Sequence, residues 1–333
     1  GSAFKPIVYL AALEAGFTPA SIILDAPVTF SQGPGLPAWS PSNYAERFYG
    51  PTTLRVGLEQ SRNVMTVRLA NSIGMQRVAD AARRLGVFDD MPQHLANALG
   101  AGETTLLRLT AAYGSLVNGG HGLQPSLIDR IQDRYGRTVF RHDPRPCPEC
   151  RAFEWANQAV PTIEDQRPAV TDPHSAYQIV SMLEGVVQRG TGKAVKAIDK
   201  PIAGKTGTSN DSKDTWFIGF APDLVVGVFV GFDEPKSLGS RETGGAVAAP
   251  IFRDFMAEAL ADAPATPFRI PPGILLVRVN AQTGQPADGS GENIILEAFK
   301  PGTEPGATAD ARDTDPSAGS DAPLPRGGTG GLY

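Results

Sequence analysis

The spacing of apolar residues predicts helices over much of the chain. Within residues 3–15 the apolar side chains fall on every face of a helix, which is typical of a buried helix. Gly16 is expected to end this helix. Pro6 is compatible with this helix because it lies in the first turn. Further helices are predicted at residues 51–60, 64–72, 75–85, 104–117, 174–189 and 251–260.

Strand-like segments lie mainly in the second half of the chain. Tyr135 and Gly136 mark the turn of a hairpin within residues 126–140, and residues 221–223 mark the turn of another. Residues 19–50 are rich in Pro, Gly and Ser and are predicted to form an ordered loop. The other predicted strands are residues 200–208, 215–220, 224–232, 274–279 and 294–299.

The order of these elements divides the chain into three parts. Residues 1–263 are predicted to form one domain, which an irregular insertion at 141–170 interrupts. Residues 264–305 are predicted to be a C-terminal extension with short strands. Beyond Lys300 most residues are Gly, Pro, Asp, Ala or Thr and very few are large and apolar, so residues 306–333 are expected to be a disordered tail.

Composition narrows the classes of function. Apolar residues make up 41% of the 333 residues, which is enough for a large core. Thirty Lys and Arg oppose 35 Asp and Glu for a net charge of −5, so no nucleic-acid partner is expected. The longest apolar run, residues 224–232, is too short to cross a bilayer. Residues 1–5 do not resemble a natural start, so the chain is expected to be cut from a longer protein.

The only two cysteines are Cys147 and Cys150, separated by Pro and Glu. A zinc site needs about four ligands and a second cysteine pair is absent, so we predict no metal and no cofactor. A thioredoxin-like redox pair would need a helix here, which Pro146 and Pro148 forbid. Two readings therefore stay open, a disulfide in a surface loop or two free thiols.

Three short motifs carry the candidate chemistry. Each motif is weak alone, but together and in this order they are specific. Ser2 and Lys5 are three residues apart in the first helix, so both side chains lie on one face and can approach hydrogen-bonding distance. The motifs are Ser2-Ala-Phe-Lys5, Ser61-Arg-Asn63 and Lys205-Thr-Gly-Thr208.

A serine–lysine pair suits nucleophilic catalysis. The hydroxyl of Ser2 needs a base, and Lys5 can serve if burial and a second cation, Lys205, keep it neutral. The helix N-terminus places backbone N–H groups near Ser2, where they can stabilise an oxyanion. Ser61 can relay a proton to a leaving amine, and the Asn63 amide can hold a peptide backbone. Taken alone, Ser61 is more typical of a helix cap.

The third motif has the chemistry of a carboxylate-binding edge. Lys205 supplies the charge, while Thr206 and Thr208 supply hydroxyl groups. Gly207 lets a substrate approach the strand closely. A phosphate loop is the alternative for this segment, but Asp199 stands where that motif requires its first glycine.

With these motifs the sequence resembles the penicillin-binding transpeptidases, specifically the C-terminal domain of the bifunctional class A type. The resemblance implies an α/β (α+β) fold, in which a penicillin-binding or serine β-lactamase-like sheet is flanked by helices and a helical subdomain carries Ser61. It also implies that the N-terminal strands of the sheet are missing here, which leaves an unpaired edge. The matching segments are residues 1–14, 185–192, 203–211, 214–220, 228–233 and 299–305.

The same resemblance implies a D,D-transpeptidase that cross-links peptidoglycan stem peptides. Ser2 would attack the penultimate D-alanine carbonyl, release D-alanine and pass the acyl group to an amine, with the backbone N–H groups of Ser2 and Thr208 as the oxyanion hole. β-Lactam antibiotics would acylate Ser2, and other cell-wall synthesis proteins are candidate partners. The implied location is the periplasmic face of the cytoplasmic membrane, through an anchor outside this chain, where a disulfide between Cys147 and Cys150 is stable.

Two other functions stay open at this stage. One is hydrolysis, by a D,D-carboxypeptidase or a β-lactam-hydrolysing enzyme, and the other is a non-catalytic β-lactam sensor or cell-wall scaffold. Arg62 replaces the Asp of the Ser-Asp-Asn motif, which argues against class A β-lactamases. The Glu-x-x-x-Asn context of their deacylating glutamate occurs only as Glu59 to Asn63, which overlaps the second motif. The lifetime of the acyl-enzyme separates these functions.

Overall fold

The helix that contains Lys5 lies at the centre of the molecule. In the computed structural model, a 3-10 turn at Ser2–Phe4 leads into helix α1 (Lys5–Glu14). Residues 5–13 are all buried, so the predicted helix with no exposed face is confirmed. Gly16 follows with a φ of 95°, a left-handed conformation that glycine adopts at helix ends.

The structure describes residues 1–31, 37–147, 150, 154, 156–161, 163–291 and 293–306. The predicted disordered tail lies outside these residues, apart from Gly306. Cys147 and Cys150, within the predicted insertion, are joined by a disulfide.

The remaining helices follow the predicted order with small shifts at their ends. Thr53, Asp172 and Thr105 each accept a hydrogen bond from a backbone N–H in the first turn of the helix that follows, which fixes where three of these helices begin. The predicted helix at 51–60 was wrong over its first three residues, since Thr53 is the cap and the chain before it is extended. The helices are α2 (Leu54–Glu59), α3 (Val64–Ile73), α4 (Met75–Arg84), α5 (Leu106–Val117), α6 (Pro173–Gln188) and α7 (Ala248–Ala259).

The strands form one three-stranded antiparallel sheet and several two-stranded pairs. They are β1 (Ile22–Asp25), β2 (Gly50–Thr53), β3 (Arg130–Gln132), β4 (Thr138–Arg141), β5 (Ala203–Thr208), β6 (Asp214–Ala221), β7 (Leu224–Gly231), β8 (Leu275–Asn280) and β9 (Ile294–Phe299). The order of the larger sheet is β5-β6-β7, and the pairs are β1-β2, β3-β4 and β8-β9. The prediction that 19–50 is loop throughout was wrong, because β1 pairs with β2 there. β1 is only four residues long, and its sequence, Ile-Ile-Leu-Asp, does not alternate apolar with polar residues although the burial of its side chains does alternate.

Helices cover both faces of the larger sheet, as the resemblance implied. Ile218 and Phe220 of β6 belong to the same core as α1, α5 and α6, while Phe217 points the other way and packs on Phe252 of α7 with ring centroids 4.7 Å apart. Strand β5 forms one edge of the sheet and packs against the Ser2–Phe4 turn. At the other edge, β7 pairs within the described residues with β6 alone.

The C-terminal pair β8-β9 packs against α2 and α6. Thr53 Oγ1 donates a hydrogen bond to the carbonyl of Ala281 (2.7 Å), and Gln178 Nε2 donates to that of Ala298 (2.8 Å). The division of the chain at residues 263 and 305 stays a prediction. Among the described residues, no helix has the length and apolar character needed to span a membrane.

Candidate active site

The hydroxyl of Ser61 lies between two buried lysines. Lys205 Nζ donates a hydrogen bond to Ser61 Oγ at 2.8 Å, and Lys5 Nζ lies 3.3 Å from the same oxygen. Both lysine side chains are fully buried. One residue of each motif therefore lies at this hydroxyl group, although the motifs are far apart in the sequence. Lys5 comes from the start of α1, Ser61 from the loop after α2 and Lys205 from strand β5.

Lys5 is held by the second motif. Its Nζ donates to the Ser61 carbonyl (2.6 Å), to Asn63 Oδ1 (2.6 Å) and to the Arg62 carbonyl (3.1 Å). Within the part of the chain that the structure describes, Ser2 Oγ forms no hydrogen bond, to Lys5 or to any other group. The three protons of a charged Lys5 match these three acceptors, whereas a neutral Lys5 donates to two of them and keeps a lone pair.

The charges around the site favour neutral lysines. Burial lowers the pKa of Lys5 well below its usual value, and the positive charges of Lys205 and Arg62 lower it further, while Asp25 acts in the opposite direction. Burial alone lowers the pKa of Lys205 to about 7. In the described residues, neither lysine forms an ion pair with a carboxylate. A lysine in these surroundings can accept a proton at neutral pH.

The turn that carries Ser2 is fixed by its neighbours. Tyr113 donates a hydrogen bond from its buried hydroxyl to the Ala3 carbonyl at 2.6 Å. A Cβ at Gly207 would lie 3.1 Å from Ala3 Cβ and 2.9 Å from Trp216 Cβ, which is tighter than side chains tolerate. Glycine at 207 therefore allows the turn to pack against β5, a reason that the sequence analysis, with its emphasis on substrate approach, did not identify.

The threonines of the third motif already have partners in the protein. Thr206 is buried and its hydroxyl lies 2.6 Å from that of Thr191. Thr208 is half-buried, and its Oγ1 accepts a hydrogen bond from the backbone N–H of Gly244 at 3.0 Å, which leaves its own proton free to donate. Thr208 is therefore more accessible to a ligand than Thr206.

Asn63 and its supports form a layer behind the lysines. Asn63 Nδ2 donates to the Ser42 carbonyl (2.9 Å), so both ends of its amide are engaged in this state. Asn43 Oδ1 accepts the backbone N–H of Asn63 (2.8 Å), and Asn43 Nδ2 donates to the buried carboxylate of Asp25 (2.9 Å). Asn43 and Asp25 lie in a Pro- and Gly-rich stretch without a motif, so no pattern in the sequence indicated their role.

The backbone at Ser61 is strained. Its φ of 56° lies in the left-handed region, which is uncommon for residues other than glycine. In this conformation the carbonyl and the hydroxyl of Ser61 both reach Lys5. The next side chain, Arg62, lies over the ring of Tyr49, with its guanidinium carbon 3.1 Å from the ring centroid.

Glu59, the one glutamate in the deacylation context, is engaged elsewhere. Its carboxylate accepts hydrogen bonds from Arg189 (2.5 Å) and Arg55 (3.2 Å). In the described residues it forms no hydrogen bond with Ser61 or Asn63. In this arrangement the carboxylate is not placed to activate a water molecule at the site.

Comparison with known proteins identifies the class. The family model "Penicillin binding protein transpeptidase domain" matches residues 1–257. Penicillin-binding protein 1A of Rickettsia bellii is 47% identical over 302 residues, which cover 90% of this chain and 38% of that protein. The chain belongs to the penicillin-binding protein transpeptidase family, and the relationship predicted from the motifs is confirmed. This chain spans well under half the length of that relative.

Solved structures agree with this assignment. Penicillin-binding protein 1A from Haemophilus influenzae has a TM-score of 0.79 and 34% identity, covering 92% of this chain and 48% of that one. The PonA1 protein from Mycobacterium tuberculosis in complex with penicillin V shares the fold, with a TM-score of 0.65 and 22% identity over 81% of this chain and 71% of that one. The α/β fold implied by the resemblance is confirmed.

Proposed function

We propose that this chain is a peptidoglycan D,D-transpeptidase that works through an acyl-enzyme on Ser2. The observation that carries the proposal is the Ser61 hydroxyl, held between Lys205 at 2.8 Å and Lys5 at 3.3 Å. Two lysines around one serine, with pKa values lowered by burial, form a proton-transfer system without histidine. Membership of the transpeptidase family and the likeness to penicillin-binding proteins 1A support it.

Acylation begins at Ser2. Neutral Lys5 takes the hydroxyl proton as Ser2 Oγ attacks the penultimate D-alanine carbonyl, and the resulting oxyanion is stabilised by the backbone N–H groups of Ser2 and Thr208. The carbon–nitrogen bond then breaks, and the leaving D-alanine amine receives a proton through Ser61. For this step the neutral Lys5 amine must release one of its present acceptors and turn its lone pair toward the Ser2 hydroxyl, and it becomes an ammonium when it takes the proton.

The other residues of the motifs bind the stem peptide. With a pKa of about 7, Lys205 is protonated in about half of the molecules at neutral pH, and this form provides a positive charge for the terminal carboxylate. Thr208 provides a hydroxyl proton beside it, and Thr206 lies behind them. Asn63 orients Lys5 and presents its amide to the peptide backbone when it releases Ser42. An amine of a neighbouring stem attacks the ester in the second step, which forms the cross-link and restores Ser2.

The proposed setting is the periplasmic face of the cytoplasmic membrane, where peptidoglycan stem peptides, β-lactams and other cell-wall synthesis proteins are the proposed partners. The penicillin V complex of PonA1, which has the same fold, supports the β-lactam part of this proposal. The disulfide between Cys147 and Cys150 suits an oxidising compartment.

Transfer is favoured over hydrolysis by one observation. The carboxylate of Glu59 is bound by Arg55 and Arg189 and not by a side chain of the three motifs. In the described residues, no Asp or Glu side chain forms a hydrogen bond with the side chains of these motifs. Without a carboxylate base for water, an ester on Ser2 is expected to be long-lived until an amine arrives.

The test is the intact mass of the chain after incubation with benzylpenicillin, with the adduct located by peptide digestion. We expect one adduct per chain, on Ser2, that persists for many minutes, and none in Ser2→Ala. Circular dichroism establishes that both proteins are folded. A folded chain that acquires no adduct, or acquires it at another residue, contradicts the assignment, and rapid loss of the adduct favours the hydrolase instead.

A further inference from the structure

A buried group of charges lies directly beneath the second motif. Arg55 of α2 is at its centre, and its Nη2 donates to Glu297 Oε1 of β9 at 2.6 Å, while its Nε donates to Oε2 of the same carboxylate. On the other side Arg55 Nη1 donates to Glu59 Oε1 at 3.2 Å. The guanidinium also binds the carbonyl and the hydroxyl of Ser181 in α6. Arg55, Glu59 and Glu297 are all buried.

This group holds the last turn of α2, from which Ser61 projects. The carboxylate of Glu59 is fixed by Arg55 and by Arg189. Its carbonyl accepts the backbone N–H of Thr191 at 3.1 Å, and Gln60 Nε2 donates to the Arg189 carbonyl at 3.1 Å. Ser61 follows directly with its positive φ. A strained residue keeps such a conformation only when the surrounding structure holds both sides of it.

Glu297 contributes to this group from a part of the chain outside the family match. The match ends at residue 257, and Glu297 lies in the C-terminal pair β8-β9. Its strand is anchored by the hydrogen bond from Gln178 to the Ala298 carbonyl and by the fully buried Phe299. Because Glu297 engages two of the three guanidinium nitrogens in a bidentate pair, it sets the direction in which Arg55 presents the third to Glu59.

We propose that Glu297 is a positioning residue for the second motif: through Arg55 and Glu59 it fixes the end of α2, and with it the Ser61 hydroxyl between Lys5 and Lys205. The C-terminal pair is then part of the catalytic unit. The inference rests on the proposed function, since Ser61 must transfer a proton for its position to affect the rate. Neutralising Glu297 frees Arg55 to turn, loosens Glu59 and moves Ser61.

The test compares Glu297→Gln with Asp288→Asn, which removes an exposed carboxylate from the loop between β8 and β9. Benzylpenicillin labelling of the full chain gives three numbers, which are the acylation rate constant at saturation, the half-saturating concentration and the final number of adducts per chain. For Glu297→Gln we expect a rate constant about tenfold lower, a half-saturating concentration within twofold of wild type, and still one adduct per chain. Asp288→Asn is expected to match wild type.

A merely structural role has a different signature. Partial unfolding lowers the number of adducts per chain and leaves the rate constant of the folded molecules unchanged, and that result overturns the inference. Equal rate constants for Glu297→Gln and Asp288→Asn overturn it as well. If Glu297→Gln does not fold, Arg55→Lys, which keeps the charge but loses the bidentate geometry, is judged by the same criteria. Absence of labelling in folded wild type would instead contradict the proposed function.

Discussion

Two buried groups of charged residues lie on either side of the end of α2, and they differ in whether their positive charges are paired with carboxylates. At the site, Lys5 and Lys205 surround a serine hydroxyl, and in the described residues no carboxylate forms an ion pair with either of them. In the other group, Arg55 lies between the carboxylates of Glu59 and Glu297. The first arrangement favours loss of a proton, whereas the second favours retention of charge.

The pKa values express the same difference. Burial lowers the pKa of both lysines, and at Lys5 the other cation adds to the effect. Burial alone would also lower the pKa of Arg55, but Glu297 and Glu59 outweigh it and raise the value. Equal burial therefore gives a group that exchanges protons in one place and a fixed cation in the other. We infer that the fold accepts a loss of stability at the lysines and gains rigidity at Arg55.

The largest effect is expected from Lys5→Met, which keeps the length of the side chain and removes the base. The acylation rate constant with benzylpenicillin should fall by about 10³-fold, since general base catalysis contributes on that order. The exposed Lys196→Met is the matched control and should label like wild type. If a folded Lys5→Met protein is acylated at the normal rate, the proton of Ser2 goes to another group. The pair of lysines without a carboxylate partner, Lys5 and Lys205, then does not supply the base.

The next effect concerns stability and is expected from Lys205→Met. The pKa of this lysine is about 7 in the folded protein and near 10.5 when exposed, so between these values the unfolded chain binds more protons and stability rises with pH. At neutral pH the cost of this shift is roughly 5 kcal/mol. The two hydrogen bonds that Lys205 donates, to Ser61 and Thr206, return about 1 kcal/mol each.

Lys205→Met is therefore expected to lose carboxylate recognition but to raise the free energy of unfolding by roughly 3 kcal/mol at pH 7. At pH 10 the cost of the pKa shift has fallen to about 1 kcal/mol and no longer exceeds the lost hydrogen bonds, so the gain in stability is expected to disappear. Urea denaturation at both pH values measures it, with Lys196→Met as the control. A variant that is less stable than wild type at pH 7, or equally affected at both, would show that Lys205 is charged and stabilising, like Arg55.

The sequence predicted those features of the two groups that depend on residues close together in the chain. The spacing of Ser2 and Lys5 and the apolar residues around them predicted a buried helix with the lysine inside it, and burial then accounts for the lowered pKa. Of the residues in the three motifs, Lys5 and Lys205 lie within hydrogen-bonding distance of the Ser61 hydroxyl, while the catalytic roles assigned to the motifs stay a prediction. The expected contact between Ser2 and Lys5 is absent because Lys5 is held by acceptors of the second motif, whose orientation depends on the backbone conformation of Ser61.

Contacts between residues far apart in the chain could not be predicted from the sequence. Arg55 and Glu59 are four residues apart in a helix and so form a readable pair, but Glu297 is 242 residues from Arg55 and no local pattern joins them. Likewise, Asn43 supports Asn63 from a stretch whose composition indicated only loop. In both cases the partner is chosen by tertiary packing, on which motif and periodicity carry no information.

The smallest effect is expected from breaking the disulfide, whose cysteines form no hydrogen bond with either group of charges in the part of the chain that the structure describes. Cys147 and Cys150 are three residues apart, so their bond closes a very short loop and the entropy that it removes from the unfolded chain is near the low end of the range, about 2 kcal/mol at most. Cys147→Ser combined with Cys150→Ser, which leaves no free thiol, should keep the acylation rate within twofold of wild type and change the melting temperature by a few degrees or less. Benzylpenicillin labelling and thermal denaturation of the same samples measure both. A loss of acylation comparable to that of Lys5→Met would mean that the insertion contributes to the catalytic site, which contradicts its prediction as a surface insertion.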